Sequence, residues 1–235
     1  MNLSEAKVII TGGSMGIGLE TAKMLIAQGA SVAICGRHEA TISAAAAQIG
    51  AIAIIADVSK EAEVIQMIEQ VKSKFGSFNV LINNAGFGNF DLLQDVTVAD
   101  FQKVFETNVL GTMLSAREAS KHFIEQQYGN IINISSTAGK AGFAGGTVYT
   151  ASKFAVQAMT ECWRAEMRKH NIRVMQVNPS EVQTNFIPNS GREARPYNES
   201  KLQATEIAHT IVSMLEMNDR GFITEATVFA TNPKG

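Results

Sequence analysis

The sequence predicts an α/β fold: a doubly wound parallel sheet with helices on both faces. Three observations carry this. Short, near-continuous apolar runs alternate with segments of helical spacing. A glycine-rich turn, TGGSMGIG at 11–18, follows the first of those runs. No Pro-rich linker, composition break or internal repeat divides the 235 residues, so one domain over 1–235 is expected.

The strands are expected, in order, at 7–11, 31–35, 51–55, 80–83, 130–135 and 172–178. Each is apolar on both faces, as a strand covered on both sides must be. Helical spacing occupies 18–28, 61–75, a long stretch at 101–128, and TASKFAVQAMTECWRAEM at 150–167. Gly76 and Gly129 stand near helix ends, where a positive φ is useful. Right-handed crossovers between parallel strands then give the doubly wound arrangement. The segment FIPNSGREARPYNES at 186–200 is irregular and rich in Pro, Gly and Asn. It reads as a loop with a short helix, long enough to be a functional lid.

Composition narrows the function. Hydrophobic residues make up 46%, which supports a sizeable core, and a charged share of only 18% leaves room for a buried oligomer face. A net charge of −2 does not suit a protein that grips a nucleic-acid backbone. The stretch MNLSEAKVIITGG lacks a signal-peptide core, and no run reaches the roughly 18 apolar residues of a membrane helix. Cys35 and Cys162 lie in apolar context and read as two buried thiols, which makes the cytoplasm the expected compartment. His38, His122, His170 and His209 are too scattered for a metal site.

The glycines of the turn fall at 12, 16 and 18, giving G-x-x-x-G-x-G. Gly12 permits a tight exit from the strand, Gly16 lets a phosphate approach the backbone, and Gly18 lets the next helix pack close. The N–H groups that open that helix then face an anion. Thr11, Ser14, Met15 and Ile17 belong to the same candidate site. The Gly-Lys-Ser/Thr ending of an ATP-binding P-loop is absent. At the end of the second strand, Gly36 lies 24 residues beyond Gly12, where an acidic residue would hold the ribose hydroxyl of NAD. No carboxylate is there. Arg37, with His38 beside it, favours the 2′-phosphate of NADP(H) instead. Asp57 and Val58 follow the third strand and are placed at the adenine. A helix N-cap is the competing use of Asp57, although Ser59 is better placed for it. Asn83, Asn84, Ala85 and Gly86 follow the fourth strand, where small residues admit the cofactor and amides tie loops together.

Tyr149 and Lys153, in YTASK, are four apart and share a helix face. A phenol of pKa about 10 needs about 4 kcal/mol of differential interaction to titrate near neutrality. A neighbouring ammonium supplies some of it. The tyrosine then gives a proton to a reduced carbonyl, or takes one from an alcohol. Ser135 and Ser136 end the preceding strand, at the sheet edge where such folds bind ligands. Asn108 interrupts VFETNVLGTM and marks either a bent turn in a proton path or an amide satisfied by backbone.

These motifs together resemble the short-chain dehydrogenase/reductase family, over nearly the full length. TGGSMGIG is similar to its TGxxxGIG turn, NNAG stands intact at 83–86, and YTASK matches YxxxK. The resemblance implies a Rossmann-type parallel sheet of about seven strands, with the run at 222–235 supplying the last strand and a tail. It implies reversible hydride transfer between NADP(H) and a carbonyl or secondary alcohol. Ser136, 13 residues before Tyr149, is then the substrate-binding serine. Tyr149 is the acid or base, Lys153 binds ribose and lowers the tyrosine, and Asn108 anchors a water relay. Pro179 and Ser180 depart from the family's usual Pro-Gly. Val182 and Thr184 keep the later pattern, with Thr184 near the carboxamide or a phosphate. The family's habit of forming tetramers implies a homotetramer, or else a homodimer, through helices at 101–127 and 152–169. A 3-oxoacyl-carrier-protein-reductase-like member is the nearest general resemblance. A non-catalytic NADP(H)-binding regulatory protein is the alternative that the Asn108, Ser136, Tyr149, Lys153 set argues against.

For the substrate, Phe87, Phe90, Phe143 and Phe186 lie on loops near the cofactor and suit an apolar aryl or alkyl ketone. Arg192 and Arg195 stand either for an anionic or carrier-bound substrate or for ordinary lid surface.

Overall fold

The computed structural model describes residues 1–193 and 196–233. In chain order the elements are β1 (Lys7–Thr11), α1 (Gly16–Ala27), β2 (Ser31–Gly36), α2 (Glu39–Ile49), β3 (Ile52–Ile55), α3 (Glu61–Phe75) and β4 (Val80–Asn83). Then come α4 (Val98–Phe105), a π-helical turn (Glu106–Gly111), α5 (Thr112–Gln126), β5 (Gly129–Ile134), α6 (Thr147–Met167) and β6 (Ile172–Pro179). The chain closes with β7 (Val182–Gln183), α7 (Phe186–Asn189), β8 (Leu202–Gln203), α8 (Ala204–Glu216) and β9 (Glu225–Val228).

Seven strands form one parallel sheet in the order β3-β2-β1-β4-β5-β6-β9. Side chains of successive strand residues point to opposite faces, so β1 feeds two cores. Val8 and Ile10 pack with Leu25 of α1 and Ile207 and Ile211 of α8. Ile9 packs on the other face with Val71 of α3 and Phe123 of α5. The chain reverses its winding between β1 and β4, and a crevice opens there at the strands' carboxyl ends.

Several expectations need correction. The long helix expected at 101–128 begins earlier, where Thr97 caps Val98–Phe105 by accepting from Asp100 N–H at 3.1 Å. It is broken by the π-helical turn that holds Asn108. Gly76 does take a positive φ, +74°, but Gly129 does not; the αL position at the end of α5 falls to Gln127. Gly129 is glycine for close packing, because a Cβ there would lie 2.4 Å from Cγ of Phe123. Neither Asp57 nor Ser59 caps α3: Lys60 occupies the N-cap and makes no side-chain hydrogen bond. Cys35 is buried as expected, but Cys162 is exposed. The buried stripe of α6 runs through Tyr149, Ser152, Lys153, Val156 and Thr160, which leaves Cys162 on the outer face. The helices α2 and α8 and the two-stranded parallel pairing of β7 with β8 are further elements that the sequence reading did not name.

Candidate active site

The switch point is stapled from behind the turn. Thr11 Oγ1 accepts from the backbone N–H groups of Asn84 and Ala85, both at 3.1 Å. In return Asn84 Nδ2 donates to the carbonyls of Thr11 at 3.1 Å and Gly12 at 2.9 Å. The loops after β1 and β4 therefore move as one. Asn83 turns inward instead, donating to Asn133 Oδ1 at 2.9 Å. The glycines explain themselves by contact. Gly12 has φ +65°, and a Cβ on it would lie 2.8 Å from Cα of Ala85. A Cβ on Gly18 would lie 2.6 Å from Asn84 Nδ2. Gly13, which the sequence reading passed over, is equally committed, since its Cβ would lie 2.6 Å from Cβ of Ile34.

A cleft of about 1410 Å³ runs from Arg37 and Asp57, over this turn, to Tyr149 and Phe186. That exceeds the roughly 300–1,000 Å³ of a pocket for one drug-sized ligand, and suits a dinucleotide with a second molecule beside it. The predicted site residues border it, with three exceptions: Thr11, Gly18 and Asn108 act from behind the wall. The residues fit a dinucleotide. Gly16, at φ +56°, opens α1, and Met15 at the N-cap gives its first turn no side-chain acceptor. Unclaimed N–H groups at a helix N-terminus are a site for phosphate.

At one end of the cleft, Asp57 Oδ1 accepts from Ser59 N at 2.9 Å and Ser59 Oγ at 2.8 Å. Burial alone would raise its carboxyl, but these bonds and the charges of Arg37 and Lys60 outweigh it and hold Asp57 below the ordinary carboxylate range. Val58 beside it is buried, and a Cβ on Gly111 of the π-helical turn would lie 2.7 Å from its Cγ2. Arg37 is exposed and donates through Nε to His38 Nε2 at 3.2 Å. Ser180, which stands in place of glycine, donates its backbone N–H to Val228 O at 2.9 Å.

At the other end, Tyr149 and Lys153 sit in the first two turns of α6 and are both buried. The Lys153 ammonium lies 5.7 Å from the Tyr149 ring centroid and donates to Ile134 O at 2.8 Å. Burial lowers Lys153 to about 8. Burial pushes Tyr149 up to about 12, opposed by a hydrogen bond with Ser136. Burial sets the direction of the phenol, opposite to the lowering anticipated from the ammonium. Of the two serines at the end of β5, Ser135 is buried and donates to Lys153 O at 3.2 Å. Ser136 faces the cleft, accepts from Ala138 N at 3.1 Å and lies 3.4 Å from Pro179 O.

The segment after β7 is tied to loops that border the cleft. Asn189 donates to the Met15 sulfur at 3.3 Å, and Ser190 Oγ accepts from Gly88 N at 2.9 Å. A Cβ on Gly16 would meet Thr184 Cγ2 at 3.3 Å. These ties join residues about a hundred positions apart or more and had no sequence signal. Arg195 lies outside the described residues. Among the described residues no cluster of metal-ligating side chains occurs, and no helix is long and apolar enough to cross a membrane.

The family model of the short chain dehydrogenases matches residues 6–195. A 3-oxoacyl-[acyl-carrier-protein] reductase of Bos taurus is 34% identical over 186 residues, 78% of this chain and 78% of the other. A 3-ketoacyl-(acyl-carrier-protein) reductase from Brucella melitensis, solved with NADH, superposes with a TM-score of 0.90 at 28% identity, covering 97% of this chain and 98% of that one. A metagenomic short-chain oxidoreductase in complex with NADP gives 0.85 at 28% identity, covering 99% and 100%. The chain belongs to the short-chain dehydrogenase/reductase family and is an oxidoreductase by that membership.

Proposed function

We propose that this protein is an NADP(H)-dependent carbonyl reductase, a single catalytic domain with a lid over 186–200. The observation that carries this reading is the placement of Tyr149 on the cleft wall, hydrogen-bonded with Ser136 and with the Lys153 ammonium 5.7 Å from its ring centroid. A neutral phenol is a proton donor, which is what reduction of a carbonyl requires.

Residues of the turn, with Asn84, Ala85, Gly86, Pro179, Ser180, Val182 and Thr184, would hold the dinucleotide. Bound there, it supplies a hydride to the carbonyl carbon. Ser136 donates a hydrogen bond to the carbonyl oxygen and fixes it beside Tyr149. Tyr149 gives its phenolic proton to that oxygen as the C=O π bond breaks. A C–H and an O–H bond form, and a secondary alcohol results. Lys153 stabilises the phenolate left behind and donates to ribose. Asn108 acts through Phe87 and Ser152, and its amide is spent on them.

The NADP(H) preference rests on Arg37, whose terminal nitrogens hydrogen-bond no side chain among the described residues, and on the lack of a carboxylate at 36–38. Exposed Phe101, Leu110 and Phe154 on α4, the π-helical turn and α6 support a homotetramer. The two free thiols support a cytoplasmic location.

The test is initial-rate reduction of a panel of ketones, β-keto esters and an acetoacetyl thioester, with NADPH and NADH in parallel, for wild type and Arg37→Ala. Turnover favouring NADPH, with the preference lost in Arg37→Ala, is expected. Binding of both cofactors without turnover of any carbonyl would favour a regulatory role. Equal losses for the two cofactors in Arg37→Ala would remove the 2′-phosphate contact.

A further inference from the structure

We propose that the carbonyl-binding half of the cleft is an aromatic box for a compact aryl ketone, and that Arg192 is the positioning residue that sets its Phe90 wall. This rests on the assignment of Tyr149 as proton donor.

Two phenylalanines flank that phenol and a third packs on one of them. Phe90 and Phe186 each place a ring centroid 5.4 Å from the Tyr149 ring and lie 6.2 Å from one another. Phe143 lies 6.2 Å from Phe90. These are the separations at which tilted and edge-on rings attract. Phe90 and Phe143 come from two separate loops, and Phe186 opens α7. Both loops are seated by glycines: a Cβ on Gly145 would lie 2.9 Å from Phe90 O, and one on Gly146 would lie 2.8 Å from the Phe143 ring. The box is therefore built by backbone placement and does not result from chance exposure of apolar side chains.

Arg192 completes it. Its guanidinium carbon lies 4.8 Å from the Phe90 ring centroid, and Nη2 donates to Phe90 O at 2.6 Å. Stacked and hydrogen-bonded at once, it fixes both the ring and the backbone of one residue, a geometry that the planar fork of arginine allows. This seats the guanidinium against Phe90, although a carbonyl and a ring do not cancel its charge. The other cations at this end are engaged too. Lys140 pairs with Glu225, and Lys103 lies 5.6 Å from the Phe87 ring centroid. Asp91 and Asp100 also border this end. Of the cations at this end, Arg192 and Lys103 lie against rings and Lys140 is paired with a carboxylate, so none is presented as a dedicated phosphate site. A flat, neutral ring bearing a ketone matches the walls.

The experiment is calorimetric titration of the NADP⁺-loaded protein, which cannot reduce a ketone, with ethyl benzoylacetate and with S-acetoacetyl pantetheine 4′-phosphate. The aryl ketone is expected to bind at least about tenfold more tightly. In Arg192→Ala the aryl ketone should bind about tenfold more weakly and its KM should rise, while kcat and NADP⁺ affinity hold. Arg192→Lys, which keeps the charge and a donor to Phe90 O, should recover part of that loss. Tighter binding of the phosphorylated thioester, or its selective loss in Arg192→Ala, overturns the proposal. NADP⁺ binding with no aryl-ketone binding overturns it alone. Failure of NADP⁺ to bind would overturn the NADP(H) assignment beneath it as well.

Discussion

Asn108 holds both polar groups of one residue. Its Oδ1 accepts from Phe87 N–H at 3.1 Å, and its Nδ2 donates to Phe87 O at 2.9 Å. The same Nδ2 reaches Ser152 Oγ at 3.0 Å, and that hydroxyl donates to Tyr149 O at 2.7 Å. One buried amide thus joins the loop after β4 to the helix that carries the proposed proton donor. The π-helical turn is what swings it there. Gly86 is part of the same contact, because a Cβ on it would lie 3.1 Å from Asn108 Oδ1 and 3.7 Å from Lys153 Nζ.

Replacing Asn108 by Ala should therefore cost both stability and turnover. The Phe87 N–H and carbonyl lose their partner, at about 1–3 kcal/mol for each group left unsatisfied. Urea denaturation is expected to show a loss of about 2 kcal/mol or more, and kcat should fall because Tyr149 is no longer tied to Phe87. Unchanged stability would mean that the clamp does not form.

Tyr149→Phe removes the proton and keeps the ring. Turnover should fall by about 10²–10⁴-fold, the usual worth of a positioned general acid. NADPH affinity, read by fluorescence titration, should hold, since the ring still packs against Phe90 and Phe186. Near-wild-type turnover would remove Tyr149 from the proton-donor role.

The two buried groups predict opposite slopes of stability against pH. Lys153 is lowered from 10.5 to about 8, so between those values the unfolded chain binds more protons and stability rises with pH. Tyr149 is raised from 10 to about 12, so across that window the native state holds more protons and stability falls as pH rises. Comparing wild type with Tyr149→Phe by denaturation across pH 10–12 isolates the second effect, which the variant should lack. Carbonyl reduction should also decline as pH passes about 8 and Lys153 loses its charge, with the phenol still protonated. A reduction rate that climbs through that range would contradict the assignment.

The strands were legible because burial on both faces leaves a continuous apolar signature: Lys7–Thr11 and Val80–Asn83 stand where the sequence reading put them. The glycine turn and the Tyr149–Lys153 pair were legible because each is a local spacing with a chemical reason. What escaped is non-local. Nothing at position 108 announces a grip on Phe87, and nothing at 192 announces a stack on Phe90. The rise of the Tyr149 phenol is non-local as well: spacing reveals a neighbouring ammonium, but the burial that raises the phenol belongs to the whole fold.

Gly76 and Gly129 make that difference measurable. Sequence position alone gave both the same role, a positive φ after a helix. Gly76 has it, at +74°, with nothing within 4 Å of where a Cβ would stand. Gly76→Ala should therefore cost only backbone strain, about 1–2 kcal/mol. At Gly129 the backbone is ordinary strand, and the added methyl would lie 2.4 Å from Cγ of Phe123, a ring fully buried against Phe78. Neither strand nor ring can retreat without shifting the core, and overpacking of this kind costs about 1–3 kcal/mol or more. Gly129→Ala should be the more damaging of the two in urea denaturation. Phe123→Leu, which vacates part of that space, should recover some of the loss when combined with it, although alone it destabilises. Equal effects of the two glycine substitutions, or no coupling between positions 123 and 129 in the double-mutant cycle, would show that Gly129 is not glycine because of the ring.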